Sequence, residues 1–314
     1  MILSVGLLLA AAVLAIAAPR YLHLTVAPHR SPRLALAAWS GSLVALLATL
    51  AAVPTALLVR PGRGVLDSAH ACMENLRATG SLPWLPALEV VLGIGSLLLL
   101  ARLVTVAAIR TWRHRRDTAD HLRMLHLIAE DRRPGPGAEV LVLPTDDPLC
   151  YSLGGPAPTI VVGRTRADDA AALAHEYAHL AGRHHRLVLL ARICAHALPW
   201  LPLCRQAPDA MAGLVEFAAD RRAARVHGDH RVQEALAQWS VAPTPGVAVL
   251  LPAAPASAAA VTLRRHWLAA APSASTRGGR ADYPAAAAIS LAPAALSVGA
   301  ASIAVTAVCT LLAG

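Results

Sequence analysis

Two histidines and a glutamate occur in the order His175-Glu176-x-x-His179, within an alanine-rich stretch of the chain. Alanine and leucine favour helix formation, and positions four apart lie on one face of a helix, so the two imidazoles can bind one metal ion. Glu176 lies beside them and is placed to take a proton from an attacking water. Thr165 and Asp168 predict a capping box at the start of this helix. The pattern is typical of zinc hydrolases, although it also occurs in ordinary surface helices.

A second helix-like stretch, residues 215–224, carries two acidic residues four positions apart, Glu216 and Asp220. A catalytic zinc site needs three protein ligands and an open position, and Glu216 is the candidate third ligand. Asp220 is the candidate acceptor for the far ring nitrogen of a ligand histidine, whose tautomer it would fix. The alternative interpretation is a solvated acidic face that pairs with Arg221 and Arg222.

The segments His175–His184 and Glu216–Ala223 together resemble the integral-membrane gluzincin metallopeptidases. The resemblance is to the penicillinase-regulator antirepressors of the BlaR/MecR type and to the related HtpX heat-shock proteases, and it covers roughly residues 138–228. In those families two histidines and a glutamate hold one zinc ion per chain, the motif glutamate is the base and the aspartate supports a ligand. The resemblance therefore implies metal ligation by His175, His179 and Glu216, catalysis by Glu176 and a supporting role for Asp220.

The composition indicates a membrane protein. The 314 residues are 56% hydrophobic and only 15% charged, and the formal net charge of +9 is carried by arginine without any lysine. Such a charge could suggest nucleic-acid binding, but aromatic residues are scarce and the arginines cluster at the ends of apolar runs, which is typical of membrane orientation. We therefore expect the lipid bilayer, and not nucleic acid, as a partner. The five scattered cysteines contain no C-x-x-C pair and predict neither a disulfide framework nor a thiolate zinc site.

Four apolar segments are long enough to be transmembrane helices; they are residues 1–18, 34–59, 86–109 and 286–314. Arginines follow the first and third segments, and this predicts a cytoplasmic side there and both chain termini outside. The predicted fold class is an α-helical membrane protein with about four transmembrane helices and an inserted α+β zinc metallopeptidase domain of gluzincin-like type.

The predicted domain order is three spans within 1–110, a cytoplasmic zinc domain at 111–285 and the fourth span. Within the zinc domain we expect an amphipathic helix at 117–130, a linker at 132–137, and strands at 139–143 and 159–162.

A third strand is predicted between those two, at Cys150, Tyr151, Ser152 and Leu153. The resemblance implies that this strand forms the edge of a sheet above the zinc, where a substrate backbone can add as a further strand. These four residues are therefore the candidate substrate-binding residues. A plain structural hairpin is the alternative interpretation.

The apolar segment 187–203 cannot be a simple membrane crossing, because that would place His179 and Glu216 on opposite sides of the bilayer. It must pack in the domain core, lie in the interface or form a re-entrant hairpin, and Pro199 and Pro202 suit a bend.

Several further polar residues near the motif have no assigned role. His184 and His185 are interpreted as basic residues near the membrane face, with a larger histidine-rich metal or haem site as the alternative. A donor for the developing oxyanion is expected in a zinc peptidase. The candidates, among which the sequence does not discriminate, are Tyr177, His227, His230, Arg264 and Arg265.

The predicted function is a zinc-dependent endopeptidase in a bacterial-type plasma membrane that cleaves a protein or peptide at the cytoplasmic face. The order of spans matches the antirepressors better than HtpX, and a winged-helix repressor is the candidate substrate that the resemblance implies. The chain ends directly after the fourth span, where the resembled sensors carry a penicillin-binding domain, so β-lactam sensing is not expected. The alternatives are an HtpX-like quality-control protease of membrane proteins and a non-catalytic zinc-binding signalling or scaffold protein.

Overall fold

The computed structural model describes residues 2–25, 31–58, 85–239 and 258–270. The predicted fourth span, 286–314, lies outside the described residues. Helices and strands follow one another in this order: α1 Ile2–Thr25, α2 Pro32–Leu58, α3 Leu85–Ile128, β1 Asp131–Gly135, β2 Ala138–Leu143, β3 Cys150–Leu153, β4 Thr159–Gly163, a 3-10 helix Arg164–Arg166, α4 Ala170–Ala181, α5 His184–Ala197, α6 Pro202–His227, α7 Asp229–Trp239 and α8 Ala258–Ala270. The described chain is thus mostly helical, with one small mixed sheet.

Three of the described helices are long and apolar enough to cross a membrane. They contain the segments Gly6–Leu24, Pro32–Val53 and Val91–Ile128. Helices α1 and α2 pack closely against each other through buried residues such as Leu14 and Leu43, and they share one apolar cluster with α5 and α6. Most side chains on the apolar part of α3 remain exposed within the described chain.

Helix α3 joins two elements that the sequence analysis treats as separate. We expected a span at 86–109 and a separate amphipathic helix at 117–130. The structure has one continuous helix of 44 residues. The sequence explains this, because no glycine or proline occurs between Leu97 and Ile128 and good helix formers are frequent there. The far end of α3 packs on the sheet through Leu122 and Leu125.

The sheet has the strand order β1-β2-β4-β3, with β2 and β4 parallel and the two outer pairs antiparallel. The end of α3 covers one face of the sheet, and α4 packs through Leu173 and Leu180 on the other. The predicted linker at 132–137 is wrong, because Asp131–Gly135 forms strand β1. Proline is tolerated in an edge strand, and Pro134 lies in this one, opposite Glu139.

The apolar segment 187–203 forms most of α5, the turn that follows it and the first residues of α6, and these two helices are the arms of a hairpin. Helix α5 ends at Ala197, the chain turns, and α6 begins at Pro202. Both arms bury residues in the apolar cluster that contains α1 and α2. Arg102 of α3 donates hydrogen bonds to the carbonyl oxygens of Ala197 (2.8 Å) and His196 (3.3 Å), and its guanidinium lies 5.6 Å from the ring centroid of Trp200. The arginine thereby satisfies carbonyls that the end of α5 leaves open.

The continuity of α3 can be measured by pulsed electron paramagnetic resonance. Spin labels at Leu98 and Leu127, both strongly exposed, should give a narrow distance distribution near about 44 Å, because an α-helix rises about 1.5 Å per residue. The native cysteines are first replaced by alanine. Thr111→Pro is the control, since a proline inside a helix bends or breaks it and should shift and broaden the distribution. A broad distribution in the unbroken protein would contradict one continuous helix.

Candidate metal centre

Helix α4, which carries the histidine motif, starts later than the sequence predicts. Asp169 is its N-cap and accepts hydrogen bonds from the backbone N–H groups of Ala171 (3.0 Å) and Ala172 (3.1 Å). The predicted capping box of Thr165 and Asp168 is therefore wrong. The reason is the 3-10 helix at Arg164–Arg166, which places the fully buried Arg166 side chain in an ion pair with Asp169.

Helices α4 and α6 bring two histidines and a glutamate to one point. The Nε2 atoms of His175 and His179 lie 3.0 Å apart. Glu216 of α6 places Oε2 at 3.5 Å from the first nitrogen and Oε1 at 3.5 Å from the second. The three residues therefore form a group that could hold a metal ion.

The spacing of these atoms suits a four-coordinate ion. Tetrahedral coordination with bonds of about 2.0–2.1 Å places ligand atoms about 3.3 Å from one another. The observed separations of 3.0 Å and 3.5 Å lie on either side of this value. Two imidazoles and a carboxylate form a donor set that zinc and several other divalent transition metals accept. The residues present thus fit the metal that the motif implies.

Asp220 lies one helical turn after Glu216 and is fully buried. Its Oδ1 lies 2.8 Å from Nδ1 of His175, the ring nitrogen that faces away from the cluster. Arg264 of α8 donates to both carboxylate oxygens of Asp220, at 2.7 Å and 2.6 Å, and its third nitrogen lies 3.0 Å from Oε2 of Glu216. A carboxylate on the far nitrogen of a ligand histidine fixes its tautomer and orientation.

The electrostatics of the cluster shift the pKa values of the two histidines in opposite directions. Burial alone would lower the pKa of His175, but the carboxylates of Asp220 and Glu216 outweigh it and raise that pKa to about 9. Burial lowers the pKa of His179 to about 3. The pKa of Glu216 is held below its usual value, because its interactions with His179, His175 and Arg264 outweigh the effect of burial. Metal binding requires both imidazoles to be neutral, so His175 would release a proton when an ion binds.

Glu176 is buried beside the cluster and contacts the edge strand. Burial raises the pKa of its carboxyl from 4.5 to about 7, and the side chain of Ser152 is hydrogen-bonded to it. A carboxyl that titrates near neutrality is suited to accept and return a proton. The contact with Ser152 was not foreseen, because sequence alone does not show which side chains of a strand face the helix.

The predicted substrate strand is β3, Cys150–Leu153, at the edge of the described sheet. Its side chains alternate between the two faces. Tyr151 and Leu153 pack against the end of α3, whereas Cys150 and Ser152 face α4. The strand pairs with β4 on one side, and among the described residues no strand pairs with its other edge.

Of the five candidate oxyanion donors, only Arg264 lies at the metal cluster. Tyr177 packs on the sheet, where a Cβ on Gly135 would meet its hydroxyl. His230 is largely exposed near Glu234, Arg265 is exposed, and His227 is the last residue of α6.

The structure corrects the interpretation of His184 as a basic residue near the membrane face. Its side chain is buried, and its Nδ1 lies 3.1 Å from Nδ1 of His179. Burial lowers the pKa of His184 to about 4. His185 differs, because its ring lies over Gly154 in the turn after β3. The contact between His184 and His179 was not foreseen, because it depends on the turn after α4, which helical periodicity does not describe.

Comparison of the chain with protein-family models, curated proteins and solved structures found no match. The function is therefore proposed below from the geometry of the site and the residues of its motif.

The buried ion pair can be tested by comparing alanine substitutions of two neighbouring arginines, the buried Arg264 and the exposed Arg265. Arg264→Ala should lower the free energy of unfolding by about 3 kcal/mol, because it leaves the Asp220 carboxylate buried without its cation. The expected loss lies at the lower end of the range for broken buried pairs, since His175 remains next to Asp220. Arg265→Ala should change it by no more than about 0.5 kcal/mol, as surface substitutions usually do.

The measurement is reversible denaturant unfolding in detergent micelles, followed by circular dichroism. Equal stabilities of the two variants would contradict the assignment of Arg264 to the buried pair.

Proposed function

We propose that this protein is a membrane-embedded, zinc-dependent endopeptidase that cleaves a protein substrate at the cytoplasmic face of the membrane. The observation that carries the proposal is the convergence of His175, His179 and Glu216 from two helices, with ligand atoms at separations that suit one tetrahedral ion. A fourth coordination position, which catalysis requires, is left by a set of three protein ligands.

The proposed ion is zinc, because the motif and its donor set are those of zinc hydrolases. Bound zinc would supply Lewis acidity, lowering the pKa of a water and polarising the peptide carbonyl. The donor set holds no sulfur, and Cys150 faces α4 from the neighbouring strand without belonging to the group of ligand atoms.

Glu176 is the proposed general base. It is adjacent in sequence to the ligand His175, and its raised pKa lets it take a proton from the attacking water and return it to the leaving amine. The hydrogen bond to Ser152 holds the carboxylate between the motif helix and strand β3. Asp220 orients His175, and Arg264 pairs with both acidic residues that it contacts.

Strand β3 is the proposed site of substrate binding. A substrate backbone that pairs with its open edge would lie next to Glu176 and could extend toward the metal ligands. Binding by strand addition draws its affinity mainly from backbone hydrogen bonds, which agrees with a protease that accepts an extended segment of a protein.

The location at the membrane is supported by the packing of the helices. The hairpin of α5 and α6 carries Glu216 and packs against α1 and α2, two of the candidate spans. Several arginines follow residue 109, where the apolar part of α3 ends. Such arginines favour the cytoplasmic side of a membrane, and we therefore place the site on that side.

Glu176→Gln tests the catalytic assignment. The variant keeps the ligands, so the purified protein should retain as much zinc as the wild type while proteolysis falls by at least about 100-fold, which is the usual contribution of general acid–base catalysis. Glu234→Gln, at a largely exposed carboxylate on α7, is the matched control and should keep both properties. The readout is the set of protein N-termini in cells that carry each form, with metal content measured on the same preparations.

The pattern of new N-termini also separates the candidate functions. Cleavage of one soluble repressor favours the signalling role, whereas cleavage of many membrane proteins favours quality control. Full zinc content without any N-termini specific to the wild type would indicate a non-catalytic protein. The proposal fails if the Glu176→Gln cells contain the same new N-termini as the wild type.

A further inference from the structure

The connection between α4 and α5 is short. It places the start of α5 against the last helical turn of α4, the helix that carries the histidine motif. Helix α4 ends at Ala181, Gly182 is its C-cap, and α5 begins at His184. Arg183 between them has φ of 50°, and among the described residues it is the one non-glycine residue with positive φ. A non-glycine residue in this region is strained and persists only where the surrounding structure holds it.

The consequence of this turn is that His184 lies against a proposed metal ligand. Its Nδ1 lies 3.1 Å from Nδ1 of His179, and the two rings meet edge to face with centroids 4.9 Å apart. The contact is made at the nitrogen of His179 that faces away from the cluster, because Nε2 is the atom that faces His175 and Glu216.

Gly182 provides a second observation that points to the same contact. Its φ of −78° is ordinary for any residue, so the backbone does not require glycine there. The neighbouring His184 ring does require glycine, because a Cβ at this position would lie 2.3 Å from Nε2 and 2.6 Å from Cδ2 of that ring. The absence of a side chain at residue 182 therefore lets the His184 ring reach His179.

The two ligand histidines thus have corresponding partners. Asp220 lies at Nδ1 of His175, and His184 lies at Nδ1 of His179. Ligand histidines usually donate their far N–H to an acceptor, which fixes the tautomer and the plane of the ring. A neutral imidazole can accept such a hydrogen bond through its unprotonated nitrogen.

We propose that His184 is a positioning residue of the metal site: its Nδ1 accepts a hydrogen bond from Nδ1–H of His179 and so directs Nε2 of that ligand to the ion. This inference rests on the metal centre of the proposed function. His184 does not ligate the metal, because it lies on the side of the His179 ring opposite Nε2. The neighbouring His185 has no part in this arrangement, since its ring covers Gly154.

The test measures divalent metal affinity on the full-length protein in detergent, with Zn²⁺ and Co²⁺ in competition with a chelator. His184→Ala should weaken both affinities by about 10- to 100-fold, the usual effect of losing a partner of a ligand histidine. His184→Gln, whose amide oxygen can accept the same hydrogen bond, should recover most of the loss. His185→Ala is the matched control and should bind both metals as the wild type does. The visible absorption bands of bound Co²⁺ should shift in His184→Ala and not in His185→Ala.

Gly182→Ala extends the test without removing the histidine. The methyl group should displace the His184 ring and weaken metal binding, whereas the same change added to His184→Ala should have no further effect. This non-additivity separates positioning from a general loss of helix stability, which would add to the effect of His184→Ala.

Each outcome has a distinct meaning. If the wild type binds metal and His184→Ala binds it equally well, the inference on His184 is wrong and the metal centre stands. If the wild type binds no stoichiometric metal, the proposed function itself fails. If His184→Ala does not fold, Gly182→Ala and His184→Gln decide the matter: wild-type affinity and an unshifted Co²⁺ spectrum in Gly182→Ala overturn the inference.

Discussion

A buried ion pair holds together the elements that form the candidate metal centre. Asp220 is fully enclosed, and buried charges are unfavourable unless they are paired and hydrogen-bonded. Arg264 provides that pairing from α8, and the same carboxylate lies against His175 on α4. The Asp220 carboxylate therefore links three helices, α4, α6 and α8. Its contact with Nδ1 of His175 also determines that the other ring nitrogen, Nε2, faces Glu216.

The local part of this site could be predicted from the sequence, because it depends on helical periodicity alone. The spacing of His175 and His179, and of Glu216 and Asp220, places each pair on one face of a helix whatever the tertiary structure. The strands at 139–143 and 159–162 could be predicted for a similar reason, since β-branched residues lie in short segments there, and the strand at 150–153 could be placed between them from the turn residues that follow it. That the two helices meet was expected from the need for a third ligand and from the resemblance, and not from helical periodicity.

The remaining features depend on contacts that a linear pattern does not contain. The position of Arg264 at the cluster could not be predicted, because it depends on how α8 docks on α6. His184 was misread because its direction is set by the positive φ of Arg183 and by the space that Gly182 leaves. The span at 86–109 and the amphipathic helix at 117–130 were predicted as separate elements, but the backbone of α3 is continuous because no glycine or proline lies between them.

The continuity of α3 and the hairpin of α5 and α6 relate the site to the candidate spans. The end of α3 packs beside β3, and His121 of α3 is hydrogen-bonded to the hydroxyl of Tyr151 on that strand (2.9 Å). Both the strand proposed for substrate binding and the helix that carries Glu216 thus contact elements that run into the apolar part of the molecule. A site built in this way has its geometry coupled to the packing of the spans.

The central claim is that His175, His179 and Glu216 bind one zinc ion, and X-ray absorption at the zinc edge of the purified full-length protein tests it most directly. The account predicts one zinc per chain, a first shell of nitrogen and oxygen only at about 2.0–2.1 Å, and outer-shell scattering from two imidazoles. A sulfur shell near about 2.3 Å, or a protein that retains no zinc, would contradict it.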